Sequence, residues 1–128
     1  MTLLLDTHVL LWFLKDDPQL SRAAKAAIEN PANRKLVSVA TCWEIAIKAG
    51  LGKLKLDEPA GGLLARELAA NSFELLSISL EHATAVESLP PHHKDPFDRL
   101  LIAQALAESL SLVSADSQLD AYGVTRVW

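Results

Sequence analysis

Cysteine is almost missing from this chain: Cys42 is the single one among 128 residues. One thiol cannot close an internal disulfide, and no Cys/His spacing matches a zinc site. Both a disulfide-stapled scaffold and a structural zinc fold are therefore excluded. Long apolar runs are missing too. None approaches the roughly 20 residues that span a bilayer, and no basic segment leads into an apolar stretch and a cleavage site, so the expectation is a cytoplasmic protein with no membrane partner. Positive charge is also scarce, with 12 Lys and Arg against 16 Asp and Glu for a net charge of −4. That balance excludes attachment to nucleic acid through bulk positive charge, although not through a local site.

What is present is the material of a soluble core, 50% hydrophobic and 22% charged. At this length it predicts one domain over residues 1–128. "TLLLD" reads as a short buried strand ending at Asp6, and "HVLLWFLKDD" as the helix after it. "LSRAAKAAIEN" is an alanine-rich helix capped by Ser21, followed by the β-branched strand "KLVSVA". "TCWEIAIKAG" opens on a T-x-x-E pattern, a capping box that would put Glu44 in the first turn, and ends at Gly50 as a natural stop. "LLARELAANS", "FELLSIS" and "LEHATAVESL" read as helix, strand and helix. After the break at "PPHHKDP" come a long helix from about Pro96 to Leu110, the strand "SLVSAD", a helical turn "SQLDAY" and the strand "VTRVW". Strands alternating with helices predict an α/β fold, a three-layer α/β/α sandwich around a mainly parallel sheet.

In such a sheet, ligands bind beyond the carboxyl ends of the strands. Asp6 and Asp116 each follow an apolar strand directly, while Glu44 and Asp98 lie at helix starts, so all four can reach one edge. Clustered carboxylates without cysteine or matched histidines form a hard-oxygen environment suited to Mg²⁺ or Mn²⁺, and without a cation their charges repel. Setting aside these four and Asp95 leaves eleven acids against twelve basic residues, so the acidity is localised. Each acid also has a plainer reading. Asp95, Pro96 and Asp98 fit N-cap, N1 and N3 of a helix, Glu44 fits a capping box, Asp6 fits a strand-end N-cap, and Asp116 fits a turn start. Asp120 is left out of the site, because its spacing from Ser117 suits a capping box.

Together "LLLDTHVLLW", "SVATCWEIAIK", "DPFDRLLIAQA" and "LVSADSQLDAYG" resemble the PIN-domain family and, within it, the VapC-type toxins of bacterial toxin–antitoxin pairs. The resemblance covers nearly the whole chain. It implies an α/β/α fold, a Mg²⁺- or Mn²⁺-dependent endoribonuclease, a homodimer, and inhibition by a cognate antitoxin. Carried over, Asp6, Glu44, Asp98 and Asp116 are the metal-site acids, with Asp95 secondary and Thr7 and Ser114 as hydroxyl partners. Water activated by the metal would attack the RNA phosphodiester, and no His or Lys base is required.

The remaining polar residues say less. Lys48 and Arg99 are candidate substrate contacts, with Lys53, Lys55 and Lys94 as further local charges for phosphates. His8 reads as packed locally, and His92 and His93 as solvated. Trp12, Phe13 and Trp43 read as core, although "VLLWFL" is apolar enough to line a partner interface. A non-catalytic partner-binding module and a metal-dependent DNase are the competing readings. Cleavage of RNA compared with single-stranded DNA separates them.

Overall fold

In the computed structural model, which describes residues 1–128, five strands form one sheet in the order β3-β2-β1-β4-β5. The strands are β1 (Thr2–Leu5), β2 (Arg34–Ser38), β3 (Glu74–Leu76), β4 (Ser111–Val113) and β5 (Thr125–Val127). Every pairing is parallel, with Leu4 opposite Leu36 on one side and opposite Leu112 on the other. The mainly parallel sheet expected from the sequence is thus wholly parallel. Parallel strands need crossovers, and six α-helices supply the first three: α1 (Thr7–Leu14), α2 (Arg22–Glu29), α3 (Val39–Gly50), α4 (Ala60–Ala70), α5 (Leu80–Ala85) and α6 (Pro96–Glu108), while a 3₁₀ turn over Ser117–Tyr122 carries the last, from β4 to β5.

Because successive strand residues point to opposite faces, β1 feeds two cores. Leu3 and Leu5 join Val9, Leu10, Ile28, Val37, Ile45 and Val113 beneath the helices of the first half. Leu4 points the other way, onto Leu36, Leu101, Ile102, Leu112 and Tyr122. All three leucines of β1 are fully buried. The strand order reverses between β1 and β4, which opens a crevice at their carboxyl ends.

Local signals set most boundaries. The Ser21 hydroxyl accepts from Ala24 N–H and starts α2. Asp95 caps α6, accepting from Phe97 N–H at 2.8 Å and Asp98 N–H at 3.2 Å, with Pro96 at the first helical position. That helix ends at Glu108, two residues earlier than its apolar pattern suggests, with Ser109 as its cap in the left-handed region (φ 55°).

The start of α3 differs from expectation. It begins at Val39, and its cap is Ser38, whose hydroxyl accepts from Ala40 N–H at 3.0 Å. Thr41 therefore lies inside the helix, its buried hydroxyl without a hydrogen-bond partner, and Glu44 sits in the second turn rather than the first. Gly50 is the last helical residue instead of the stop; the left-handed turn falls on Gly52 (φ 74°). In chemical denaturation, Ser38→Ala should lose about 1 kcal/mol, the usual worth of an N-cap. Thr41→Val, which removes an unpartnered hydroxyl, should cost nothing or stabilise slightly. The reverse pattern would mean that Thr41 caps the helix.

Candidate active site

The crevice gathers the acids singled out in the sequence. Asp6 follows β1 directly and caps α1, its Oδ1 accepting from Val9 N–H at 2.8 Å, and it is buried. Asp116 lies just beyond β4 and caps a short 3₁₀ turn (Ser117–Tyr122), its Oδ1 accepting from Gln118 N–H at 3.0 Å. Its own N–H donates to the buried Ser114 hydroxyl at 3.1 Å. From the opposite wall comes Glu44, buried and held at both oxygens. Thr7 Oγ1 donates to Oε1, and Lys48 Nζ approaches Oε2 at 2.7 Å. Asp98, in the first turn of α6, completes the group.

These charges bear on one another. Burial, followed by the Asp95 charge, pushes the Asp98 carboxyl up to about 6; Asp6 and Glu44 push the same way, and His93 opposes them. Asp6 is also raised, mainly by burial and least by Asp116, while the Ser114 hydroxyl and Val9 N–H act against the rise. Lys48 is shifted upward by its bond to Glu44. A set of carboxylates held in a costly proximity, with oxygen donors alone among the acids, fits a divalent cation better than any purely structural role.

Several expectations need correction. Histidine 93 is not solvated: its Nε2 lies 3.1 Å from Asp116 Oδ2 and 3.3 Å from Asp98 Oδ2. These three residues can bring one donor atom each within 4.8 Å of one another. Arg99 does not face a substrate. Its guanidinium bonds the carbonyls of Val86, Leu89, Pro90 and His93 and the Tyr122 hydroxyl, stapling the 86–93 segment to α6. Trp43 is 60% exposed rather than core, and packs edge-on against Phe97 beside the acids. His92 packs edge-on against Tyr122. Asp120 stays outside the site, as expected, but as the bidentate partner of Arg126 rather than as a cap. His8 packs against Trp12, which meets Trp128, and His8 and Trp12 border a shallow depression of about 270 Å³ with Asp6, Ala115 and Asp116.

A doubly wound parallel domain with a carboxylate cluster at its topological switch point is the class this fold and site define. The chain belongs to the PIN domain family, which matches residues 3–124. It is similar to Ribonuclease VapC22 of Mycobacterium tuberculosis, 31% identical over 131 residues, covering 99% of this chain and 98% of that one. Two solved structures share the fold at 18% identity. One is VapBC2 from Rickettsia felis bound to a DNA fragment from its promoter, with a TM-score of 0.73, covering 98% of this chain and 97% of that one. The other is DNA-bound VapBC from Salmonella typhimurium, with a TM-score of 0.71, covering 98% and 96%.

Asp98 generates a pH-dependent expectation. Between about 4, the ordinary carboxyl value, and about 6, the folded protein keeps a proton that the unfolded chain has released. Stability therefore falls as pH rises through that window, and the full penalty is present above it. In EDTA at pH ~7.5, Asp98→Asn should be more stable than the wild type by roughly 1–2 kcal/mol, with the gain vanishing near pH 4. Urea titrations at the two pH values check this, and a variant no more stable at pH ~7.5 would show that the Asp98 carboxylate is not strained.

Proposed function

We propose that this chain is an endoribonuclease toxin of the VapC type that uses Mg²⁺ or Mn²⁺ to hydrolyse RNA phosphodiester bonds. The observation that carries the reading is the convergence of Asp6, Glu44, Asp98 and Asp116 at the switch point with two of the carboxyls raised. The similarity to a named ribonuclease over essentially the whole chain supports the choice of RNA.

Asp6, Glu44, Asp98 and Asp116 would hold the cation, with Asp95 nearby. When bound, the cation supplies Lewis acidity, which activates water at neutral pH and offsets charge on the phosphodiester. The chain's own residues do the placing. Thr7 and Lys48 fix the rotamer of Glu44, so one acid is oriented before substrate arrives. The Lys48 ammonium, part-exposed beside Glu44, is available to a phosphate oxygen once a cation relieves the acid of its charge. Ser114 braces the backbone from which Asp116 projects. Along the rim, His8, Trp12 and Trp128 offer ring faces and edges on which unpaired bases can stack, a mode suited to single-stranded RNA.

Purified protein should cleave RNA with Mg²⁺ or Mn²⁺ and stop when the cation is chelated. Asp98→Asn should lower kcat by about 10²-fold or more, the scale of a few kcal/mol of lost stabilisation, while Asp120→Asn leaves the rate nearly unchanged. Cleavage in excess EDTA would overturn the mechanism. Preference for single-stranded DNA would favour a DNase, and binding without cleavage a non-catalytic module.

The toxin reading carries partners with it: a cognate antitoxin, a second copy of the chain, and a cytoplasmic setting where RNA is met. The apolar segment of α1 supports the first, since Leu11 and Leu14 line one wall of a groove completed by Leu56, Leu63, Lys15 and Arg66. The second is supported by the patch formed by Trp43, Phe97, Pro96, Leu100, Val86 and Ala83. Sedimentation of the purified chain should give a dimer mass, and Trp43→Glu should shift it toward the monomer; an unchanged mass would move the interface elsewhere.

A further inference from the structure

His93 lies on the segment stapled by Arg99, and its position is defined at three points. The backbone N–H donates to the Tyr122 hydroxyl at 2.7 Å, the carbonyl accepts from Arg99 at 3.3 Å, and ring Nδ1 accepts from Asp95 N–H at 3.1 Å. The third contact decides the chemistry. A nitrogen that accepts from a peptide N–H presents a lone pair, and a neutral imidazole has only one ring N–H, which must then sit on Nε2. Nε2 is therefore a donor, and the groups it faces are the carboxylates of Asp116 and Asp98.

We propose that His93 is the positioning residue of the carboxylate site: its Nε2–H bonds Asp116, lies against Asp98 and sets the orientation of the pair for a divalent cation, and the imidazole does not itself ligate the cation. The proposal rests on the reading of these acids as a cation site.

Spacing alone would allow the opposite, because His93, Asp98 and Asp116 are close enough to form a mixed nitrogen–oxygen ligand set. Ligation through Nε2 requires its lone pair, and so a proton on Nδ1. That proton would point at the Asp95 N–H, replacing a hydrogen bond with two opposed donors at 3.1 Å. The Asp95 amide cannot turn away cheaply. It belongs to the N-cap of α6, and the same residue's carboxylate is engaged by two further N–H groups.

Donation by His93 does not consume the carboxylates. Each carboxylate offers about four acceptor sites, so Oδ2 can accept the imidazole N–H and still bind a cation. Asp116 is then gripped at both oxygens, by Gln118 N–H and by His93. The Asp98 carboxylate makes no side-chain hydrogen bond, and the polar side chain that approaches it is His93, with Nε2 at 3.3 Å from Oδ2. Outer donors of this kind typically change metal affinity 10- to 100-fold.

Mn²⁺ alone is the probe. Isothermal titration should show Mn²⁺ binding to wild type and its loss in Asp98→Asn. His93→Ala should bind about tenfold or more weakly. His93→Gln, whose amide nitrogen reaches the Nε2 position, should recover most of the affinity, and His93→Asn, which ends near Nδ1, should not. Pulsed EPR of the Mn²⁺-loaded wild type should show no directly coordinated imidazole nitrogen. In metal-free protein, long-range ¹H–¹⁵N correlations should report the Nε2–H tautomer, independently of how any variant folds. A bound imidazole nitrogen, an Nδ1–H tautomer, or unchanged affinity in His93→Ala would overturn the positioning role while leaving the acids as the site. Absence of Mn²⁺ binding by wild type would overturn the site reading itself, and the proposal with it.

Discussion

Burial of β1 on both faces is the constraint from which the site follows. Leu3, Leu4 and Leu5 have no exposed surface, so this strand can lie only at the centre of the sheet, with β2 and β4 on its flanks. Its last residue then opens onto the switch point, and the next residue in the chain is Asp6. The same logic places Asp116 beside it, because β4 runs parallel to β1 in fixed register, Leu5 opposite Val113. Two acids far apart in sequence become neighbours because the leucines before them have nowhere else to go. Slipping that register by one residue would turn Leu4 toward the wrong core and separate the acids together.

Holding acids together is destabilising, and the surrounding bonds divide that cost unevenly. Glu44 is the best compensated, with a hydroxyl on one oxygen and an ammonium on the other. Asp98 is the least, and its raised carboxyl records it. The fold thus sets a stable, pre-oriented wall, formed by Glu44, Lys48 and Thr7, against a strained one formed by Asp98. A bound cation would relieve the strained side most. Preorganisation of this kind is built before any ligand arrives, which is when it is useful for catalysis.

The acids and the fold class were legible because both rest on local signals. Strand–acid junctions at Asp6 and Asp116, and the Asp-Pro-x-Asp start of α6, can be read from a few adjacent residues, and alternating apolar periods establish the layering. What was not legible depends on tertiary geometry. Thr41 and Glu44 have capping-box spacing, yet α3 begins three residues earlier because the strand ends at Ser38, whose hydroxyl supplies the cap instead. Arg99 looks like any exposed cation until the carbonyls of the 86–93 segment turn inward and occupy it. His93 follows from the same event, since a Pro-rich loop gives no periodicity from which to read direction. The adjacent "HH" and "DPFD" were the available signal, as a histidine two residues before an N-cap is within reach of it.

The pairing of β1 with β4 has a consequence for how the chain acquires its structure. Leu4 and Leu112 are neighbours in the sheet but lie at opposite ends of the sequence, so closing this pair carries the largest loop-closure cost of any contact in the sheet. Contacts of such high sequence separation form slowly. Before β4 docks, Asp6, Glu44 and Asp98 already exist, but β1 has an unpaired edge made of core leucines. A product interrupted ahead of Ser111 would present that edge to other chains and to proteases, and it would carry no complete carboxylate set. Completing the sheet and arming the site are the same folding step.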